Sequence, residues 1–233
     1  LVSMLEDAGE SRETTIEMNP ESLTDAYEPL FGDGLVSRVS MGVQSLDEKT
    51  LRTLGRASTR NQTLEGVARL GYFQKKYHIA VNFDLIACVP GQTIADSVED
   101  VGRLLSLSNP DHLCLYCLTL EPGTALERRV RKGQIRMPGE DEQADCLYTL
   151  WEYLEKNRYE HYEVSNFAKD GAYCIHNLHD WHLCGTRKPC GWTGTQDRWK
   201  NGCNGEQSRS APICRRASGK RIHQRASDPP GRV

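Results

Sequence analysis

Residues 38–45 read Arg38-Val39-Ser40-Met41-Gly42-Val43-Gln44-Ser45, and this stretch predicts a short β-strand that ends in polar side chains. A helix is expected to follow directly, because Asp47 is of a residue type that caps helix N-termini. Gln44 would then lie at the carboxyl end of the strand, where α/β folds bind their ligands. The stretch therefore predicts a βα unit with a ligand-binding residue at its strand end.

Two other stretches repeat this plan. Residues 14–18 predict a strand that carries Glu17, and residues 79–87 predict a strand that carries Asp84. The carboxyl ends of parallel strands lie along one edge of a sheet. Each residue alone could be an ordinary surface or loop side chain, but three polar residues on strand ends indicate a shared site.

Apolar periodicity predicts that helices alternate with these strands, as expected for parallel βαβ units. This pattern is typical of half or more of a (β/α) barrel, or of an open doubly wound sheet. A further helix and a strand are expected to follow. The predicted helices span residues 20–30, 47–55, 61–77, 93–107 and 140–158, and residues 1–10 are expected to be the end of a helix. The later strands are expected to span residues 112–119 and 159–167.

Charge is unevenly distributed in the chain. The 233 residues carry a formal net charge of −3, but residues 182–233 are rich in Lys and Arg and contain no periodic apolar stretch. We expect this tail to be disordered or to be an out-of-frame translation. Because it lacks a helical basic stripe and an aromatic stacking platform, we expect no nucleic-acid partner.

The chain contains no apolar run of about 18 residues, so no transmembrane helix is expected. Its first residues lack the features of a signal peptide, and position 1 is not Met, which fits a chain whose start is missing. The nine cysteines are irregularly spaced and predict a reducing, cytoplasmic environment. Cys114 and Cys117 would face opposite sides of a strand, which favours structural thiols over a metal site.

Several motifs, in this order, carry a resemblance to a known family. Residues 13–181 resemble the radical S-adenosylmethionine (radical SAM) proteins of the oxygen-independent coproporphyrinogen III oxidase group, most closely its HemW-like heme chaperone branch. The motifs are Thr15-Ile16-Glu17-Met18-Asn19-Pro20, the stretch at residues 38–45, Leu54-Gly55-Arg56, Asn82-Phe83-Asp84-Leu85-Ile86, Pro90-Gly91-Gln92-Thr93, Leu118-Thr119-Leu120-Glu121-Pro122-Gly123-Thr124, residues 159–168 and His176-Asn177-Leu178.

The resemblance implies an α/β fold: a partial (β/α) radical SAM barrel that here lacks its first strands. It divides the chain into an incomplete barrel (residues 1–130), the start of a small α/β C-terminal domain (residues 131–181) and the tail (residues 182–233). The implied cofactors are S-adenosylmethionine and a 4Fe-4S cluster, and the branch also implies heme. The implied partners are heme or a porphyrin and an electron donor for the cluster.

The resemblance also assigns roles to five residues. Glu17 would contact the methionyl amino group or the ribose side of S-adenosylmethionine, and Gln44 and Asp84 would hold the ribose hydroxyls. Arg56 would bind the carboxylate, although a residue just after a helix could also simply favour the helix dipole. Thr119 falls where the family places a backbone contact to adenine.

Two departures from the family pattern leave the activity open. The cluster motif C-x3-C-x2-C is absent from the chain, and the family's His-Asn-x-x-Tyr-Trp has Asp180 in place of Tyr. Thiolates are the expected cluster ligands, so the chain as given cannot hold the cluster in the family's way. Three interpretations therefore remain: a radical SAM oxidase, a heme-binding delivery protein without oxidase turnover, and a non-functional fragment.

Overall fold

The computed structural model describes residues 13–178, which form a six-stranded sheet with helices packed against it. The strands lie in the order β1-β2-β3-β4-β6-β5. Their bounds are β1 (Thr15–Met18), β2 (Arg38–Gln44), β3 (Ala80–Ala87), β4 (His112–Cys117), β5 (Tyr159–Glu163) and β6 (Asn166–Lys169). The helices are α1 (Glu28–Gly32), α2 (Glu48–Thr53), α3 (Arg60–Tyr77), α4 (Ile94–Ser108), α5 (Ala125–Arg131) and α6 (Glu140–Lys156), and two 3-10 turns span Pro20–Ser22 and Asp25–Tyr27.

The first four strands are parallel, and helices connect β2 to β3 and β3 to β4. β6 then pairs antiparallel with β4, and β5 pairs antiparallel with β6. The predicted α/β fold with a parallel-rich sheet is therefore confirmed. The last two strands complete the same sheet, and a domain boundary near residue 130 stays a prediction.

Local sequence signals fix where the main helices begin. The Asp47 carboxylate accepts a hydrogen bond from the Thr50 amide at 2.7 Å, so the predicted N-cap of α2 is confirmed. Thr59 and Thr93 close capping boxes with Gln62 and Asp96 at the starts of α3 and α4. Such caps satisfy amide donors that the first helical turn leaves without partners.

The apolar core lies between the sheet and its helices. Alternate residues of each strand point to this side, as the two-residue period of a strand requires. The largest of these side chains are almost completely buried: Met41 on β2, Phe83 on β3, Leu113 on β4 and Phe167 on β6. We call this side of the sheet the helix-covered face.

The structure differs from the sequence prediction in three places. Residues 159–167, predicted as one strand, form β5 and the start of β6 with a turn between them. α5 was not predicted, and residues 20–30 form two 3-10 turns and the beginning of α1 instead of one helix. The predicted helix end at residues 1–10 and the predicted tail at residues 182–233 lie outside the described residues.

None of the helices in residues 13–178 combines the length and the apolar character that crossing a lipid bilayer requires.

Candidate functional site

The opposite side of the sheet carries polar side chains, and we call it the polar face. It is formed by Arg38, Ser40, Asn82, Asp84, His112, Cys114 and Asn166. The strand register places these residues side by side, with Ser40 next to Asn82 and Asp84 next to Cys114. The predicted residue Glu17 pairs in register with Ser40 and therefore lies on the same face. The predicted residue Gln44 is the last residue of β2 and lies at the carboxyl edge of this face.

Gln44 and Arg56 come together around Gly42. The Arg56 guanidinium donates to Asn19 Oδ1 at 2.7 Å and approaches the Gly42 carbonyl oxygen at 3.4 Å. A Cβ atom on Gly42 would lie 2.7 Å from the Gln44 amide nitrogen and 3.5 Å from Arg56. The side chains of Gln44, Arg56 and Asn19 therefore converge over Gly42, where any side chain would collide with the Gln44 amide.

The backbone turns sharply at the end of β2, and this turn positions Gln44. Gln44 has φ of +64°, and the register with β3 shifts between Gly42 and Gln44. The turn is held from α4, because the Asp100 carboxylate accepts hydrogen bonds from the Ser45 hydroxyl and from the Leu46 amide. Burial raises the pKa of Asp100, whereas the hydrogen bonds from Ser45 and Leu46 favour its charged form.

Asp84 lies beside this group, since it pairs in register with Gly42. Its two carboxylate oxygens accept hydrogen bonds from the Ser40 hydroxyl at 3.1 Å and from the Asn82 amide at 2.8 Å. Asp84 is half-buried, so each oxygen keeps lone pairs that a ligand could use. Asn82 and Asp84 point the same way, as the sequence predicted.

Glu17 and Thr119 occupy the predicted strand ends but are exposed. Thr119 follows Leu118, whose amide donates to the Ala87 carbonyl at the end of β3. Among residues 13–178, no hydrogen bond joins either of them to Gln44, Arg56 or Asp84. The structure thus brings Gln44, Arg56 and Asp84 together. The other two predicted residues, Glu17 and Thr119, lie apart from them at exposed positions.

A buried hydrogen-bond network on the polar face was not predicted from the sequence. His112 is 1% exposed; its Nδ1 lies 2.7 Å from Asn82 Oδ1 and its Nε2 lies 2.6 Å from the Tyr162 hydroxyl. Burial, with a smaller contribution from Arg38, lowers the pKa of His112 to about 3. The imidazole is therefore neutral at physiological pH and links β3 to β5 through hydrogen bonds.

Arg38 anchors the other end of this face. Its guanidinium binds Glu13 at 2.8 Å and donates to the carbonyl oxygens of Ala172 and Tyr173. The Arg38 side chain is 4% exposed, and its Nη1 atom is buried without a hydrogen-bond partner in the described part of the chain. A charged residue at the start of an otherwise apolar strand was the sequence signal for this anchor.

The two cysteines of β4 diverge, as predicted. Cys114 lies on the polar face and its thiol donates to Asn166 Oδ1 at 2.8 Å. Cys117 lies on the helix-covered face, where its sulfur is 3.5 Å from Gln143 on α6. Within the described range, no group of three His, Cys, Asp or Glu residues could hold a metal ion.

These side chains fit S-adenosylmethionine but not an iron–sulfur cluster. The ligand offers a carboxylate for Arg56 and a diol for the oxygens of Asp84 and Gln44, and these three side chains lie around Gly42 at the edge of the polar face. A cluster requires thiolates that converge, whereas the thiols of residues 13–178 that lie on β4 point to opposite faces.

Comparison with known proteins shows that the chain is similar to heme chaperones and radical SAM proteins, although no protein-family model matches it. It is 39% identical over 169 residues to "Heme chaperone HemW" of Lactococcus lactis, covering 72% of this chain and 44% of that protein. It is 36% identical to "Radical S-adenosyl methionine domain-containing protein 1, mitochondrial" of Danio rerio, covering 72% of this chain and 37% of that protein. The chain thus spans less than half of the length of these relatives.

A solved structure shares the fold. It is coproporphyrinogen III oxidase (HemN) from Escherichia coli, described as a radical SAM enzyme, with a TM-score of 0.57 and 24% identity. The match covers 72% of this chain and 38% of the HemN chain. The strands and helices described above therefore share the fold of part of the HemN chain, and the α/β fold predicted from the sequence motifs is confirmed.

Proposed function

We propose that this chain, a radical SAM protein of the HemW and oxygen-independent coproporphyrinogen III oxidase group, binds S-adenosylmethionine at the carboxyl edge of its sheet and takes part in heme or porphyrin metabolism. The observation that supports this most is the convergence of Gln44, Arg56 and Asn19 over Gly42, beside Asp84. This group lies at the sheet edge where α/β folds bind ligands.

Each side chain then has a role that suits its chemistry. The Arg56 guanidinium binds the carboxylate of the ligand, and Gln44 and Asp84 bind the ribose hydroxyls. Ser40 and Asn82 orient the Asp84 carboxylate through the hydrogen bonds described above. Glu17, at the exposed edge strand, contacts the amino group or the ribose side, and Thr119 offers a backbone contact to the adenine.

A 4Fe-4S cluster, where the whole protein holds one, would supply the electron that cleaves S-adenosylmethionine, and an electron donor would reduce it. Residues 13–178 provide no thiol set for such a cluster, so we assign no reaction step to it. What these residues do is bind and orient the nucleotide part of S-adenosylmethionine. We further propose a cytoplasmic location, as the cysteine usage suggests.

The test is equilibrium dialysis of the full chain against radiolabelled S-adenosylmethionine. Arg56→Ala should weaken binding about tenfold or more, because a charge-assisted hydrogen bond contributes about 1.5–3 kcal/mol and about 1.4 kcal/mol is a factor of ten. Arg52→Ala is the matched control, since Arg52 is an exposed arginine on α2 that pairs with Glu48. Equal affinities for these two variants would refute the assignment of Arg56.

Gly42→Ala tests the position of Gln44 separately from the charge of Arg56. The added methyl carbon would lie 2.7 Å from the Gln44 side-chain nitrogen, so Gln44 must move and binding should fall while Arg56 stays in place. Both variants should melt at the temperature of the unaltered chain, which circular dichroism can check. A wild-type chain that binds no S-adenosylmethionine would overturn the proposal.

A second candidate is heme binding and delivery without oxidase turnover. It is supported by the relative whose name is heme chaperone, with 39% identity, and it requires no cluster. Titration of the full chain with heme should then give a Soret band that saturates at about one heme per chain. An assay for 5′-deoxyadenosine on the same sample separates delivery from oxidase chemistry, and a chain that fails both tests is a non-functional fragment.

A further inference from the structure

Side chains on the polar face form one continuous chain of hydrogen bonds that leads to Asp84. The Asp84 carboxylate accepts from the Asn82 amide at 2.8 Å, and Asn82 Oδ1 lies 2.7 Å from His112 Nδ1. His112 Nε2 lies 2.6 Å from the Tyr162 hydroxyl, whose oxygen accepts from the Cys174 amide at 3.3 Å. We call this series the relay. It connects the backbone at Cys174 to a side chain of the proposed nucleotide site.

The chemistry of its groups fixes the direction of every hydrogen bond in the relay. A carboxylate accepts hydrogen bonds, so Asn82 presents its NH2 group to Asp84 and its oxygen to His112. That oxygen can only accept, so His112 carries its hydrogen on Nδ1 and leaves Nε2 as an acceptor. The Tyr162 hydroxyl therefore donates to Nε2, and its oxygen accepts from the Cys174 amide.

Burial keeps the relay in this single arrangement. Burial lowers the pKa of His112 to about 3, so the ring carries one hydrogen, and Nε2 remains free to accept from Tyr162. The NH2 group of the buried Asn82 also donates to the Ser40 hydroxyl at 2.7 Å. That hydroxyl in turn donates to the second oxygen of Asp84. A reversed Asn82 amide would place its oxygen against the Asp84 carboxylate, which is costly where water is excluded.

The outer end of the relay belongs to a segment that is held against the amino ends of β1 and β2. We call residues 172–175 the strap. Two strap carbonyl oxygens accept from the Arg38 guanidinium at 3.2 and 2.9 Å, and a strap amide donates to Glu13 at 3.1 Å. Arg38 and Glu13 also form an ion pair at 2.8 Å. The Cys174 amide therefore reaches Tyr162 from a backbone that is held on both sides.

We propose that Tyr162 and His112 are positioning residues for Asp84, and that through them the docked strap strengthens the binding of S-adenosylmethionine. This inference rests on the proposed function, in which Asp84 binds the ribose hydroxyls. Asn82 and Ser40 each use one lone pair of the carboxylate, and the remaining lone pairs are held in place for the ligand. Because coupling between two sites is reciprocal, the bound ligand should also hold the strap more firmly.

The first test compares two tyrosines of β5 by equilibrium dialysis of the full chain against radiolabelled S-adenosylmethionine. Tyr162→Phe removes the hydroxyl from the relay and should weaken binding roughly two- to tenfold, the factor that one ordinary hydrogen bond provides. Tyr159→Phe is the matched control, because its buried hydroxyl donates to the Pro110 carbonyl oxygen at 2.6 Å and takes no part in the relay. This control should bind as tightly as the wild-type chain.

A nuclear magnetic resonance measurement separates positioning from a general loss of stability. In a chain with isotopically labelled histidine nitrogens, His112 should show a protonated Nδ1 and an unprotonated Nε2, and these signals should be absent from His112→Gln. Tyr162→Phe removes the donor that fixes this tautomer, so the two signals should move toward each other, whereas Tyr159→Phe should leave them unchanged. A wild-type ring that carries its hydrogen on Nε2 would overturn the relay.

Hydrogen exchange followed by mass spectrometry tests the strap itself. Saturating S-adenosylmethionine should slow exchange in a peptide that contains residues 172–175, and this protection should be smaller in Tyr162→Phe. Equal protection in the two chains would show that the ligand does not act on the strap through the relay, and the proposed coupling would then be wrong.

The dialysis results keep this inference apart from the proposed function. A wild-type chain that binds no S-adenosylmethionine refutes the proposed function and this inference with it. If the wild-type chain binds and Tyr162→Phe has the same affinity, only the positioning role is refuted. Equal losses of affinity in Tyr162→Phe and Tyr159→Phe would assign the effect to stability, and the positioning role would again be refuted.

Discussion

The two faces of the sheet bury side chains of opposite character at similar depth. Phe83 and Leu113 on the helix-covered face are 0–1% exposed, and His112 on the polar face is 1% exposed. The first pair packs against apolar groups, whereas His112 is buried among Asn82, Tyr162 and Arg38. Burial depth alone therefore does not distinguish structural residues from functional residues in this molecule. The groups that each buried side chain contacts make that distinction.

The comparison suggests a division of roles. The helix-covered face gains stability from apolar area, which is insensitive to pH and to the identity of single polar atoms. The polar face keeps its groups in fixed orientations through directional hydrogen bonds, and each of these groups becomes costly when its partner is removed. The carboxylate that borders the proposed nucleotide site, Asp84, is held by the second kind of contact.

The largest effect should come from the helix-covered face. Phe83→Ala removes a fully buried ring from the central strand, and we expect it to lower the free energy of unfolding by about 3–5 kcal/mol. Urea denaturation measures this loss. Tyr72→Ala is the control, because Tyr72 is 56% exposed and should cost far less; similar losses for both would contradict the proposed division.

A smaller, pH-dependent effect is expected on the polar face. His112→Gln should cost about 1–3 kcal/mol at pH 7, because Asn82 and Tyr162 lose their partner. Burial lowers the pKa of His112 to about 3 in the folded chain, so between pH 6.5 and 3 the unfolded chain binds the extra proton. Proton uptake by His112 in the unfolded chain thus lowers the free energy of unfolding by about 1.4 kcal/mol for each pH unit below 6.5.

The variant lacks this proton uptake, so the difference in stability between the two chains should shrink as the pH falls from 7 to 5. Urea unfolding of both chains at these two pH values checks the sign. A difference that stays constant or grows would show that His112 is already charged when folded.

The smallest effect should come from the start of α4. Thr93→Ala removes the side chain that accepts from the Asp96 amide, and caps of this kind contribute about 1 kcal/mol. Ser106→Ala near the other end of the same helix changes a hydroxyl that bonds only locally to Arg103 and should change stability by less than about 0.5 kcal/mol. Thermal melts of the two variants should differ by a few degrees, and identical melting temperatures would argue against the cap.

Much of the fold was predictable because its signals are local. The long helices have clear apolar periodicity, β3 is rich in β-branched and apolar residues, and Asp47 marks a helix start by its side-chain chemistry. α5 was missed although Thr124 and Glu127 stand in the spacing of a helix cap, and Thr124 indeed accepts from the Glu127 amide at 3.1 Å. This signal was present in the sequence and was overlooked.

The hairpin of β5 and β6 had no comparable signal. Its turn contains Val164 and Ser165, without the Gly or Asn-Gly pair that normally marks a hairpin. Its position is fixed instead by pairing with β4, including the Leu115 amide that donates to the Ser165 carbonyl. Contacts over such sequence separations cannot be inferred from periodicity.

The candidate site was predictable in part for the same reason. Gln44 ends β2, whereas Asp84 lies within β3 and reaches the site because the parallel register places it beside Gly42. The bond between His112 and Tyr162 spans 50 residues and could be found only in the three-dimensional structure.

The left-handed backbone at Gln44 has a consequence for how this sequence can change. Glycine would adopt that conformation at lower cost, so a chain under pressure for stability alone would gain from replacing Gln44. Glutamine at this position therefore lowers stability but places a side chain at the site. Selection of thermostable variants should replace Gln44 early, and any ligand binding that Gln44 provides would then be lost.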